Sequence, residues 1–142
     1  MVQASGHILL IEDDPMLTEL YQTKLELEGF SVSITTDGKE GLAQAKRRKP
    51  DLILLDIMLP ELNGFEVLRK LGEQAVTRRI PVVVLTNLGG EQADNDKRLA
   101  LSLGAKEFLV KTFHLPDDIV GKIKAILGMR RAEPAKPAGK RA

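Results

Sequence analysis

The stretch Asp51-Leu52-Ile53-Leu54-Leu55-Asp56 has the pattern of a buried strand that ends in a carboxylate. Uninterrupted aliphatic runs are typical of parallel strands that are covered on both faces. Working outward from this run, the sequence predicts five strands: His7–Ile11, Ser31–Thr35, Leu52–Leu55, 81–85 and Glu107–Val110.

Helical patterns separate the predicted strands. One helix begins after Asp14, a candidate N-cap, since an Asp side chain accepts from free backbone N–H groups at a helix start. Two more helices begin after Asp37-Gly38 and Asn63-Gly64. The last two helices are predicted over 91–103 and 115–127, each closed by a glycine. Five strand–helix units predict an α/β fold: a flavodoxin-like, doubly wound, five-stranded parallel sheet in the order 2-1-3-4-5, with helices on both faces.

Composition limits the class of protein. The 142 residues contain no cysteine, which excludes disulfides and thiolate chemistry. The longest apolar runs are about five residues, far short of the ~20 needed to cross a bilayer, so we expect a soluble, cytoplasmic chain.

The charge divides at residue 129. The Pro- and Ala-containing segment 129–142 carries a net charge of +4, which leaves −3 on residues 1–128. We predict a folded domain over 7–128 and a basic, flexible tail over 129–142. The tail is either a solvated linker or an electrostatic contact for nucleic acid or an acidic partner.

Carboxylates follow two of the predicted strands. Glu12 and Asp13 come directly after the first strand, and Asp56 after the third. The carboxyl ends of parallel strands meet at one edge of a sheet, so three anions would lie close together there. A hard divalent cation such as Mg²⁺ would relieve their repulsion. The alternative is a solvated acidic loop in which Asp14 caps a helix.

Two further polar residues end strands at the same edge. Thr86 follows the fourth strand and Lys111 the fifth. A carboxylate such as Asp56 can attack phosphorus to form an acyl phosphate, and hydroxyl and ammonium groups can neutralise the phosphoryl oxygens. Taken singly, Lys111 could be an ordinary surface lysine and Thr86 a turn residue, but their joint placement favours phosphoryl chemistry.

These motifs together resemble the receiver domain of two-component response regulators, a family that includes the chemotaxis receiver. The matching stretches are ILLIEDDP (8–15), DLILLDIMLP (51–60) followed by Asn63-Gly64, VVVLT (82–86) and GAKEFLVK (104–111). The resemblance extends over about residues 7 to 128. It therefore applies to the whole predicted domain.

The resemblance implies a role for each matching residue. Asp56 would accept a phosphoryl group, and Thr86 and Lys111 would bind it. Mg²⁺ would be held by Glu12, Asp13, Asp56 and the backbone carbonyl of Met58. Thr86 and Phe108 would form the switch that reports phosphorylation.

The resemblance also implies partners. A histidine kinase or phosphotransfer protein would supply the phosphoryl group, and the receiver would catalyse its own phosphorylation and slow autodephosphorylation without being a conventional enzyme. An output protein would bind the face formed by the fourth helix, fifth strand and fifth helix. Neither a membrane nor direct contact with nucleic acid is expected, and a homodimer of the phosphorylated form stays open.

Two other interpretations stay open. The chain could be the receiver fragment of a longer DNA-binding response regulator, with the tail as a linker. It could also be a haloacid-dehalogenase-like phosphatase, but that family requires a second aspartate two residues after the nucleophile, where Met58 stands.

The sequence departs from the usual receiver pattern at several positions. Thr112 replaces the usual proline, which predicts a trans Lys111–Thr112 bond because a cis bond there would cost about 2.5 to 4 kcal/mol. Phe108 lacks the common tyrosine hydroxyl, and Asn87 replaces a small residue. Met58 and Leu88, beside the expected path of the hydrolytic water, are both apolar, which predicts a long-lived phosphorylated form.

Overall fold

The computed structural model describes residues 6–59, 61–87, 93–111 and 116–135. Strands and helices alternate throughout: β1 His7–Ile11, α1 Pro15–Leu27, β2 Ser31–Thr35, α2 Gly38–Arg48, β3 Leu52–Leu55, α3 Gly64–Glu73, β4 Val82–Thr86, α4 Ala93–Ser102, β5 Glu107–Val110 and α5 Pro116–Ala135. The strands form one parallel sheet in the order β2-β1-β3-β4-β5. The predicted fold class is therefore confirmed.

The sheet has a hydrophobic cluster on each face, as its nearly continuous apolar strands require. On one face, Ile53 and Leu55 pack with residues of α2, α3 and α4. On the other, Leu52 and Leu54 pack with Leu25 of α1 and with the apolar side of α5. Alternate residues of β3 thus serve opposite faces, and the strand ends remain for polar groups.

The N-cap predicted at Asp14 is confirmed, and the structure adds caps at Asp37 and Asn63. Asp14 accepts from the N–H of Met16 at 2.9 Å, Asp37 from Glu40 at 2.8 Å, and Asn63 from Glu66 at 3.1 Å. Each bond satisfies a backbone donor that the first turn of a helix leaves free. These caps fix where the chain turns from the carboxyl edge of the sheet into α1, α2 and α3.

Three predicted boundaries differ from the structure. The fourth helix ends at Ser102, one residue earlier than predicted. The fourth strand runs one residue later than predicted, from Val82 to Thr86, because Pro81 has no N–H to donate and Thr86 still pairs with Val110. The last helix continues past Gly128 to Ala135, so the predicted tail begins with helical backbone. Glycine costs only about 1 kcal/mol inside a helix, and Gly128 lacks the positive φ that would end one.

Some predicted features lie outside the described residues, namely the start of the fourth helix at Glu91 and the tail beyond residue 135. Among the described helices, none is long and apolar enough to span a membrane.

Candidate functional site

The polar residues singled out in the sequence gather at the carboxyl edge of the sheet. Glu12 and Asp13 follow β1, and Asp56 follows β3, the strand paired with β1. Thr86 is the last residue of β4, and Lys111 follows β5. The four adjacent strands β1, β3, β4 and β5 therefore bring carboxylates, a hydroxyl and an ammonium to one edge of the sheet.

The three carboxylates form a compact cluster. One oxygen from each of Glu12, Asp13 and Asp56 lies within 4.8 Å of the others. Glu12 and Asp56 are buried, whereas Asp13 is exposed. An all-oxygen donor set that is open to solvent on one side fits a hard divalent cation such as Mg²⁺, which keeps several waters.

The protonation of Asp56 reflects this crowding. Burial, and then the charge of Glu12, raise the pKa of Asp56 to about 7, while Lys111 and the Met58 N–H oppose the rise. One ammonium and one backbone dipole thus do not fully offset the burial of two neighbouring carboxylates. A cation among the oxygens would favour the ionised form of Asp56.

Lys111 lies among the buried acids. Its Nζ is 3.0 Å from Oε1 of Glu12 and 3.9 Å from Oδ2 of Asp56. Sequence reasoning brought Lys111 to this edge but did not pair it with Glu12. No local pattern could have shown that pairing, because 99 positions separate the two residues.

The loop after β3 holds Asp56 in place. Its Oδ1 accepts from the backbone N–H of Met58 at 3.1 Å, while the Met58 side chain is 56% exposed. Gly64 donates to the carbonyl of Ile57 at 2.8 Å. A Cβ on Gly64 would lie 2.5 Å from Ile57 Cα and 2.7 Å from the Asp56 carbonyl. The sequence pattern at Asn63-Gly64 predicts only the start of a helix and does not indicate this close approach.

Thr86 and Phe108 are both buried on the sheet face that α2, α3 and α4 cover. Thr86 is fully buried at the end of β4 and pairs with Val110. Phe108 pairs with Val84, is 5% exposed and belongs to the cluster that includes Ala100 of α4. Phe108 thus lies on the strand next to Thr86, two residues before Val110.

Tyr21 is a further residue that sequence reasoning did not single out. This sole tyrosine of the chain lies on α1 and is 3% exposed. Burial and, second, the charge of Glu12 raise the pKa of Tyr21 to about 12. The charge of Glu12 therefore affects the ionisation of the Tyr21 hydroxyl.

Some predicted features of this edge lie outside the described residues. They are Leu88, beside the expected water path, and Thr112, whose bond to Lys111 was predicted to be trans. Asn87, the described residue before Leu88, is exposed.

Known proteins share both the sequence pattern and this fold. The family model of the response regulator receiver domain matches residues 8–124. The chain is 40% identical over 131 residues to the alkaline phosphatase synthesis transcriptional regulatory protein PhoP of Bacillus subtilis, covering 92% of this chain and 51% of that protein. It is 42% identical to the transcriptional regulatory protein CpxR homolog of Haemophilus influenzae, covering 90% and 52%.

Solved structures of receiver domains have the same fold as this chain. A CheY-like receiver domain protein from Methanospirillum hungatei superposes with a TM-score of 0.81 at 28% identity, covering 92% of this chain and 99% of that one. The BeF3-activated receiver domain of Klebsiella pneumoniae RstA gives 0.76 at 31%, covering 85% and 97%. The chain spans about half the length of the two regulators above. With its motifs, fold and acidic edge in agreement, the chain belongs to the response regulator receiver domain family.

Proposed function

We propose that this receiver domain is a phosphorylation-dependent switch in which Asp56 accepts a phosphoryl group from a histidine kinase or phosphotransfer protein. The Asp56 oxygen attacks phosphorus, the bond from phosphorus to the donor's imidazole nitrogen breaks, and an acyl phosphate forms. The observation that carries the proposal is the position of Asp56, buried between Glu12 and Lys111 at the carboxyl edge of the sheet.

The proposal gives Mg²⁺ to the oxygens around Asp56. Glu12, Asp13, Asp56 and the Met58 carbonyl would hold the ion, which supplies positive charge to the phosphoryl oxygens during transfer. Support comes from the carboxylate spacing and from the raised pKa of Asp56, which is caused first by burial and second by the charge of Glu12. The exposed Asp13 leaves the cluster open to solvent for the arriving ion.

In this proposal the remaining groups respond to the new charge. A phosphoryl group adds about −1.5 to −2 charges. Lys111, now 3.0 Å from Glu12, would turn toward it, and the Thr86 hydroxyl would donate to it. Movement of Thr86 would alter the packing of Phe108 against α4, so that phosphorylation changes the face formed by α4, β5 and α5, where an output protein binds.

The length comparison bears on the output. Because similar transcriptional regulators are about twice as long, we propose that the chain is a receiver unit whose output is either a separate partner or a DNA-binding domain elsewhere in a longer protein. The same proposal includes a homodimer of the phosphorylated chain.

Intact mass after incubation with acetyl phosphate and MgCl₂ tests the assignment. The wild type should gain about 80 Da, the mass of one phosphoryl group on a carboxylate, and Asp56→Asn should gain nothing. Asp94→Asn, an exposed aspartate on α4, is the matched control and should behave like wild type. An adduct that persists on Asp56→Asn would refute Asp56 as the acceptor.

A further inference from the structure

The amino edge of the sheet, opposite Asp56, carries a concentration of positive charge. Six exposed basic side chains lie in the segments that lead into three strands: Arg47, Arg48 and Lys49 before β3, Arg78 and Arg79 before β4, and Lys106 before β5. We call these six residues the basic edge. The chain as a whole has a formal charge of only +1, so the basic edge is more positive than the chain on average.

The basic edge is continuous because its three segments precede adjacent strands. β3 pairs with β4 and β4 with β5. Ile53 N–H donates to the Pro81 carbonyl at 3.0 Å, and Lys106 N–H donates to the Val82 carbonyl at 2.8 Å. Neighbouring strands lie about 4.8 Å apart, so the cations span a strip roughly 10 Å wide.

Acids near the basic edge offset only part of its charge. Asp51 accepts from the His7 N–H at 2.7 Å. Glu73 is paired with Arg69, and Glu28 with Lys124. Glu40 lies 3.8 Å from Arg47. Segments 47–51, 74–81 and 103–106 hold the six cations and a single acid, Asp51, so the edge keeps a net positive charge.

The chemistry of the edge favours a phosphate backbone over a protein partner. Protein interfaces are enriched in aromatic and apolar side chains at their centre, but Val76 is the single exposed large apolar residue in segments 47–51, 74–81 and 103–106. Nucleic-acid interfaces are polar and strongly positive. Four of the six cations are arginines, whose planar fork matches phosphate oxygens.

We propose that the basic edge binds the phosphate backbone of nucleic acid without reading base sequence. This proposal differs from the sequence-based expectation of no direct nucleic-acid contact, and it is independent of the proposed phosphoryl chemistry. The two sites are separated by the length of β3, about 13 Å at 3.3 Å per residue. At fixed Mg²⁺ concentration and ionic strength, binding should accordingly be the same with and without acetyl phosphate.

Fluorescence anisotropy of the full chain with a labelled random-sequence DNA duplex, at 50 to 200 mM NaCl, tests this proposal. The variant Arg78→Gln/Arg79→Gln/Lys106→Gln removes half of the basic edge. The matched control Lys39→Gln/Lys97→Gln/Arg98→Gln removes three exposed cations elsewhere, on α2 and α4. Both keep the tail and have the same net charge, and circular dichroism checks that both are folded.

The edge variant should bind at least about tenfold more weakly, with a salt slope reduced by about 0.9 for each lost phosphate contact. The control should stay near wild type. Equal weakening of both variants would overturn the proposal, because net charge alone would explain it. Absence of binding at 50 mM NaCl would also overturn it, as would competition by polyglutamate as strong as that by unlabelled DNA of equal charge.

Discussion

Lys111 and Glu12 form a 3.0 Å ion pair in which the two side chains are only 9% and 5% exposed. Removing one partner of a buried pair leaves the other charge uncompensated. The ion pair with Glu12 also limits how strongly the Lys111 ammonium stabilises the ionised form of Asp56, whose Oδ2 lies 3.9 Å from Nζ. Glu12 therefore acts on Asp56 twice, through its own repulsion and through its hold on Lys111.

The variant Glu12→Gln should lower the pKa of Asp56. Glu12 is the largest charged contributor to the raised pKa of about 7, and its loss also frees Lys111 to approach Asp56. A ¹³C-carboxyl NMR titration without divalent cations measures the change, with Glu40→Gln on the exposed side of α2 as control. A pKa of Asp56 that stays near 7 in Glu12→Gln would contradict this electrostatic account.

Metal-free stability should fall as pH rises from about 4 to 7. In that window the folded chain holds a proton on Asp56, whose pKa is raised to about 7 from 3.8, while the unfolded chain has lost it, so stability declines with pH. Asp56→Asn should therefore stabilise the protein at pH 8 by up to about 4 kcal/mol, given ~1.4 kcal/mol per pKa unit over the rise from 3.8 to about 7, and by less at pH 5.

Urea unfolding in EDTA at both pH values measures this difference, and Asp94→Asn should show none of it. If Asp56→Asn has the same effect at pH 5 and pH 8, the raised pKa does not contribute to stability. Added Mg²⁺ should restore wild-type stability at pH 8, because an ion among the carboxylates favours the ionised form of Asp56.

Asp13→Asn should weaken Mg²⁺ binding without loss of fold, because Asp13 is exposed and belongs to the carboxylate cluster. Isothermal titration calorimetry with MgCl₂ measures the affinity. Asp14→Asn is the control, since it makes the same charge change one residue away and asparagine caps a helix as well as aspartate. Equal Mg²⁺ affinity in the two variants would show that Asp13 is not a ligand.

Gly64→Ala should destabilise the protein by about 1 to 3 kcal/mol, the usual range for overpacking. The new Cβ would lie 2.5 Å from the Ile57 backbone, so the loop that carries Asp56 would have to move. Gly121→Ala is the control, because nothing lies within 4 Å of its Cβ position in α5, and it should stabilise the helix by up to about 1 kcal/mol. Urea unfolding distinguishes the two, and similar midpoints would disprove the close approach.

The phosphorylated form should be long-lived. Met58 and Leu88 are apolar, and neither can orient an attacking water by a normal hydrogen bond. Polar groups at these positions should accelerate hydrolysis by one or more powers of ten, at ~1.4 kcal/mol each. Decay is followed by intact mass after removal of the donor. A Met58→Asn/Leu88→Glu double variant that decays no faster than wild type would refute this control of lifetime.

Most of the fold could be predicted because its determinants are local. The apolar run of β3 and the caps Asp14, Asp37 and Asn63 act over a few residues, so sequence patterns located their elements. The end of α5 was predicted wrongly because Gly128 tolerates helical backbone, and whether a helix stops there depends on more than one residue.

The gathering of the site could also be predicted, since parallel strands bring their carboxyl ends together. Its internal partners could not. The Lys111 contact with Glu12 and the approach of Gly64 to Ile57 depend on side-chain reach and loop path across the fold. Such contacts leave no periodic pattern in the sequence.

The packing of α5 has a consequence for synthesis on the ribosome. Ile119 and Ile123 of α5 complete the apolar cluster that Leu25 of α1 begins, yet they are translated about a hundred residues later. At about 5 to 20 residues per second, the part of this cluster that α5 covers stays exposed for roughly 5 to 20 seconds. During that interval the nascent chain exposes apolar surface, and emergence of α5 from the exit tunnel allows that surface to be buried.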